Sequence, residues 1–238
     1  MTSPIVRSRA KELLARIERF SSPSFKKQMK ERFGINTDYA LGTPVTTLRL
    51  LVKGLPCPDH ELAEELWKSN IHEARIMASL LADPAQMTLA DSDTWVKEFN
   101  SWDICDMCCL NLFSKVKSPF KLAERWIKRE GEFVRRAGFA VIACLAMPRA
   151  KTKNEDLIKM LPLIKNHSCD PHPMVYKAVN WALRNIGKKN QRLTPYALQC
   201  ARDILDLYPA NRTAVWVAKN ALWELTSPKT QAMLARRK

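Results

Sequence analysis

Apolar residues recur along the whole chain at helical spacing, and prolines break the pattern into segments of roughly 10 to 16 residues. Thr43-Pro44, Ser118-Pro119, Thr194-Pro195 and Ser227-Pro228 each place a hydroxyl side chain before a proline, which predicts a capped helix start with proline at its first position. Asp170-Pro171-His172-Pro173 opens a further helix. Asn154, followed by Glu155 and Asp156, reads as a cap with first-turn acids, and Asn211 caps the segment from Arg212. No two alternating β-branched runs are joined by an Asn-Gly or Asp-Gly turn. The pattern predicts an all-α protein.

Several of these helices resemble one another. Val134-Arg135-Arg136-Ala137, Val175-Tyr176-Lys177-Ala178 and Val215-Trp216-Val217-Ala218 begin similar apolar stretches, their alanines 41 and then 40 residues apart, and Glu73-Ala74-Arg75-Ile76-Met77-Ala78 is a looser copy. A period near 40 is that of paired-helix repeats, in which each pair buries its apolar face only by stacking on the next, and small alanines allow close approach. The expected architecture is a curved α-solenoid with a concave face, formed as a single domain over residues 1–238.

Charge narrows the range of partners. The 238 residues carry 39 Lys and Arg against 24 Asp and Glu, a net charge of +15. Residues 1–114 hold 14 basic and 15 acidic side chains, whereas residues 115–238 hold 25 and 9, so the excess lies in the second half. A field of that size attracts polyanions, nucleic acid before anionic membrane or acidic protein, and its alternative is a solvated surface kept for solubility. No apolar run reaches membrane-span length, and the charged start from Met1 to Arg16 lacks a signal-peptide stretch. With an odd count of seven cysteines, this predicts a cytoplasmic protein with reduced thiols.

Two stretches carry candidate chemistry. In Ser101-Trp102-Asp103-Ile104-Cys105-Asp106, Trp102 and Asp106 are four apart and share a helical face, while Asp103 projects to one side. Lys177, Trp181, Arg184 and Lys188 are spaced four, three and four and line one face, an aromatic plane between cations suited to stacking beside phosphates. Taken singly, each tryptophan reads more readily as a core residue than as a ligand, and Asp106 as a first-turn or surface carboxylate rather than a catalyst.

At these residues the chain resembles the AlkD-type DNA alkylation repair glycosylases. The resemblance rests on Trp-Asp-x-x-Asp at Trp102 to Asp106, Arg136-Ala137, Lys-Ala-x-x-Trp-x-Leu-Arg at Lys177 to Arg184, and the segment from Glu65 to Arg75. It implies HEAT-like repeats whose basic concave face holds duplex DNA, and hydrolysis of the N-glycosidic bond of cationic purines such as N3-methyladenine and N7-methylguanine. It further implies Asp106 as the essential carboxylate, Trp102 and Trp181 as aromatic walls, Arg136 as a DNA contact near the lesion, and Lys177, Arg184 and Lys188 on the backbone. The implied site is shallow and open. One position departs from the family pattern: Gln28 stands where similar proteins often carry a tyrosine.

Those residue types suit that reaction. A methylated purine bearing a full positive charge leaves without a general acid, so what remains is to stabilise the oxocarbenium-like sugar and place water, and a carboxylate does both. Indole faces favour the developing positive charge. The other constellations carry less. Cys105-x-x-Cys108 lacks a second pair at zinc spacing and reads as core thiols, and His167-x-Cys169-x-x-His172 reads as a surface loop. The six glycines are scattered, so no phosphate loop is formed. The expectation is thus a monomeric, monofunctional glycosylase needing no metal, cofactor or nucleotide, cytoplasmic and nucleoid-associated when bound to alkylated duplex DNA. The alternatives are a non-catalytic HEAT-like module for bent or branched DNA, and a helical scaffold for an acidic protein.

Overall fold

The computed structural model describes residues 3–237 and divides the chain into two compact units, Met1–Lys117 and Ser118–Lys238. Among the described residues there is no strand, as the capping and proline pattern predicts. The boundary falls three residues from the break in charge: residues 1–117 hold 16 basic and 15 acidic side chains, residues 118–238 hold 23 and 9.

The first unit is built from α1 (Pro4–Arg19), α2 (Pro23–Glu31), α3 (Val45–Lys53), α4 (His60–Lys68), α5 (His72–Leu81), α6 (Leu89–Lys97) and α7 (Trp102–Asn111), closed by a 3-10 turn at Phe113–Lys115. Helix α5 packs against α3, α4 and α7, and it is buried on almost every side, including His72, Glu73, Arg75 and Ser79. Each of these four side chains has a hydrogen-bond partner, although Arg75 Nε itself has none. The Glu73 carboxylate accepts hydrogen bonds from the backbone amides of Leu41, Gly42 and Thr43 at 2.7 to 3.1 Å. Gly42 makes that turn possible: its φ of 86° is left-handed, and a Cβ there would stand 2.4 Å from the Ser22 carbonyl oxygen. Arg75 donates to Glu98 at 2.5 Å and lies over the Trp67 ring at 4.8 Å, while Trp67 stacks on Trp95 at 4.0 Å. Glu73→Ala would leave three inward amides unsatisfied. It is expected to cost on the order of 3 kcal/mol or more in a denaturant melt, whereas Glu73→Gln, which keeps an acceptor, should cost less.

The second unit contains α8 (Pro119–Ile127), α9 (Glu132–Leu145), α10 (Asn154–Ile158), α11 (Leu161–Asn166), α12 (Pro173–Lys189), α13 (Thr194–Leu207), α14 (Arg212–Thr226) and α15 (Pro228–Ala235). The three similar stretches found in the sequence are α9, α12 and α14. They pack in series, α9 on α12 and α12 on α14, and the matching Ala137, Ala178 and Ala218 are all buried. Hydrogen bonds at the repeat offset join them: Asn185 Nδ2 donates to the Ala143 carbonyl at 3.0 Å and Asn180 Nδ2 to that of Val217 at 2.9 Å. Gly138 lets α8 approach α9, since a Cβ there would lie 2.8 Å from the Ala123 carbonyl oxygen. Lys189 ends α12 by donating to the Met147 and Ala150 carbonyls at 3.1 and 2.8 Å, and burial lowers its ammonium pKa.

The capping expectations divide. Ser227 accepts from the Thr230 amide and Asn211 from the Ala214 amide, as expected. Asn154 and Thr194 lie one residue inside their helices, Thr43 lies one residue before the cap, and Ser118 makes no side-chain cap bond. The hydroxyls of Thr43 and Thr194 donate instead to the Ile17 and Gly187 carbonyls.

Candidate nucleic-acid site

In the first unit the candidate residues stand on α7. Ile104, Cys105, Cys108 and Cys109 form its buried face, and Trp102 and Asp106, one turn apart, are only partly buried. Trp102 begins the helix and is fixed at both ends. Its ring packs against the small core of Met29, Ile35 and Ala40 beside Phe25, and its Nε1 donates to the Phe33 carbonyl at 3.0 Å. Next to it lies a cavity of about 200 Å³ whose apolar wall includes Phe25, Met29, Phe33, Ile35 and Ile76, with Thr43, His72 and Asp103 as its polar side chains. Gln28 is exposed on α2, while its neighbours Phe25 and Met29 line this cavity.

Asp103 is more engaged than its off-face position in the sequence indicates. Its Oδ2 lies 2.8 Å from His72 Nε2, and its Oδ1 accepts from the Ser101 hydroxyl. Burial pushes the Asp103 carboxyl up, but the His72 hydrogen bond and charge, the Ser101 hydroxyl and the Ile104 amide outweigh it and hold the pKa below the ordinary value of 3.8. A carboxyl lowered in this way stabilises the fold above its unfolded-state value, and that stability is lost as pH falls through the lower folded value. Asp103→Asn should therefore cost on the order of 1–3 kcal/mol near neutral pH. The difference from the parent protein should shrink in thermal melts carried progressively below pH 3.8. The sequence did carry a sign of this pair, since His72 precedes Asp103 by 31 residues and Glu64–Trp95 and Trp67–Glu98 repeat that offset.

The cysteines of α7 are core thiols. Cys105, Cys108 and Cys109 are fully buried, and burial raises the Cys108 thiol well above its usual range. His167 Nδ1 lies 2.9 Å from the Leu163 carbonyl, and His172 Nδ1 lies 2.9 Å from Asp170, which also meets Arg135 at 2.9 Å. Among the described residues no group of three or more His, Cys, Asp and Glu is placed to hold a metal ion, and no helix is long and apolar enough to cross a membrane.

In the second unit the stripe on α12 is present but unequal in charge. Lys177 is exposed and has no ion-pair partner among the described residues. Trp181 is partly buried. Arg184 and Lys188 both bind the Glu224 carboxylate of α14, Lys188 at 2.5 Å. Burial pushes the Glu224 carboxyl up, yet the hydrogen bonds from Lys188 and Arg184 hold it below its usual range, so this end of the stripe carries one net positive charge. Arg136 is 6% exposed, and its Nη1 donates to the Met174 carbonyl at 2.7 Å, tying α9 to the first turn of α12. That structural role was not visible in the sequence, because Met174 lies 38 residues away.

A family model described as DNA alkylation repair enzyme matches residues 13–224. The chain belongs to that DNA alkylation repair family. The match takes in α7, α9 and α12 entire, and with them every candidate residue named above. Among solved structures, one of "a new family of proteins related to the HEAT-like repeat DNA glycosylases with affinity for branched DNA structures" superimposes with a TM-score of 0.70 at 21% identity, covering 81% of each chain. That likeness establishes the fold of this alkylation repair family member as a HEAT-like repeat, in agreement with the expectation from the period near 40. No curated protein was found to match.

Proposed function

We propose that the protein is a monofunctional DNA glycosylase that releases cationic alkylated purines, N3-methyladenine and N7-methylguanine, from duplex DNA. The observation that carries this reading is α7, where Trp102 and Asp106 stand one turn apart, both partly buried, while Ile104, Cys105, Cys108 and Cys109 form the face that serves the core. Asp106 stabilises the sugar as it gains positive charge and orients the attacking water. The charged base departs with the bonding electrons and needs no proton. Trp102, locked by Phe33 and by its packing on Met29 and Ile35, offers a rigid indole face to the cationic sugar or base. On the second unit, taken by itself, Lys177 is a cation open to a phosphate and Trp181 an aromatic on the same helix face, and that unit's positive balance draws in the DNA.

Chromatographic release of free methylated base from alkylated duplex DNA by the purified protein tests this directly, with an intact sugar-phosphate strand as the expected second product. A second reading is supported by the similar structure, whose protein is described as having affinity for branched DNA: this chain then binds such DNA without catalysis. Tight binding to a junction with no base released would favour it.

A further inference from the structure

Helix α14 presents a face that the proposed reaction does not use. Arg212, Trp216, Lys219 and Trp223 are all exposed and are spaced four, three and four, the same spacing as the stripe on α12. Trp223 is 74% exposed and Trp216 42%, each a large apolar surface left in water. The helix does not need them for packing, because Ala214, Val217, Ala218, Ala221 and Leu225 bury its other side. The four side chains, with Val215 and Asn220, line a shallow open groove of about 520 Å³.

The groove has two chemical components. At about 1.5 Å rise per residue, the indoles stand roughly 10 Å apart along the helix, with Lys219 between them and Arg212 beyond. Tyr176 of α12 buttresses Trp216 edge-on, ring centroids 5.2 Å apart at 69°. Arg212 and Lys219 have no ion-pair partner among the described residues, in contrast to Arg184 and Lys188, which share Glu224. Free cations alternating with indole planes are the elements of a single-strand site, where bases stack on aromatic faces and cations meet the phosphates. A duplex keeps its base faces covered, so stacking on these indoles is open only to nucleotides that are unpaired. A membrane-seated helix would set aliphatic residues on the exposed face between the tryptophans, whereas the groove positions between them are Lys219 and Asn220.

We propose that the Arg212–Trp216–Lys219–Trp223 face of α14 binds unpaired nucleotides, so that the protein prefers DNA in which a single-stranded arm adjoins the duplex. The site rests on DNA as the partner and is independent of base release. The test compares a labelled blunt duplex, the same duplex with a thymidine arm, and the free thymidine strand, by fluorescence anisotropy with the full chain. The armed duplex should bind more tightly than the blunt one, and tryptophan emission should be quenched by the free strand. Trp216→Ala with Trp223→Ala should weaken armed and single-stranded binding at least tenfold and abolish that preference. Blunt-duplex binding and base release should stay unchanged, and the Phe counterparts should recover much of the loss. Both residues are exposed, and an unaltered helical circular dichroism spectrum would verify the fold. Equal affinity for armed and blunt duplexes in the parent protein would overturn the proposal. So would double-variant loss confined to phosphatidylserine vesicles or to polyglutamate, which would assign the face to a membrane or to an acidic protein.

Discussion

Asp106→Asn is expected to slow release of free N7-methylguanine by on the order of a hundredfold or more, about 2.7 kcal/mol or more of transition-state stabilisation. The substitution keeps the shape of the side chain and removes its charge. Ground-state binding to the duplex should therefore change little, because the attraction between this carboxylate and the sugar develops only as the sugar becomes cationic. Asp103→Asn is the natural control. That carboxylate is bonded to His72 and Ser101, so its loss should appear mainly as a lower melting temperature. Single-turnover release at saturating protein, measured beside thermal melts, separates the two. Equal slowing by both variants at a temperature where both are folded would remove Asp106 from its assigned role.

Affinity for undamaged duplex should fall at least a hundredfold between roughly 50 and 200 mM salt if several phosphates are contacted, because each neutralised phosphate releases condensed counterions. The second unit, with 23 basic and 9 acidic side chains, is the source of that dependence. Its cations are not equivalent. Replacing Lys177, exposed and without an ion pair, should reduce the slope of log affinity against log salt by about one. Arg184→Ala should do less, since Glu224 already neutralises part of the Arg184 and Lys188 charge. Titrations at four salt concentrations would measure both slopes, and salt-independent binding would rule out a surface that follows the phosphates.

Local pattern made the helices legible, and long-range partners decided what it left open. Periodicity and proline placement predict an all-helical chain, and the matched stretches at Ala137, Ala178 and Ala218 mark three helices that pack in series. The turn between Trp102 and Asp106 follows from their spacing alone. Burial of charged groups does not. Local pattern carries no sign that Glu73 and Arg75 are buried, since the Leu41–Thr43 amides and Glu98 that meet them lie 23 to 32 residues away. The stripe on α12 is real as a face, yet one of its three positive charges is balanced by Glu224, 36 and 40 residues on. Two of the expected caps failed for a similar reason, since the Thr43 and Thr194 hydroxyls found carbonyls outside the helices they precede or begin.

The reaction itself is tested most directly by leaving-group charge. Duplexes carrying N7-methylguanine, N3-methyladenine, uracil or hypoxanthine, incubated with the purified protein and resolved for free base, should yield the two cationic purines and leave the two neutral bases in place. Neutral bases must be protonated to depart, and the mechanism assigned to Asp106 and Trp102 supplies no acid for that step. Efficient uracil release, or retention of all four bases by protein that binds the same DNA, would contradict the account.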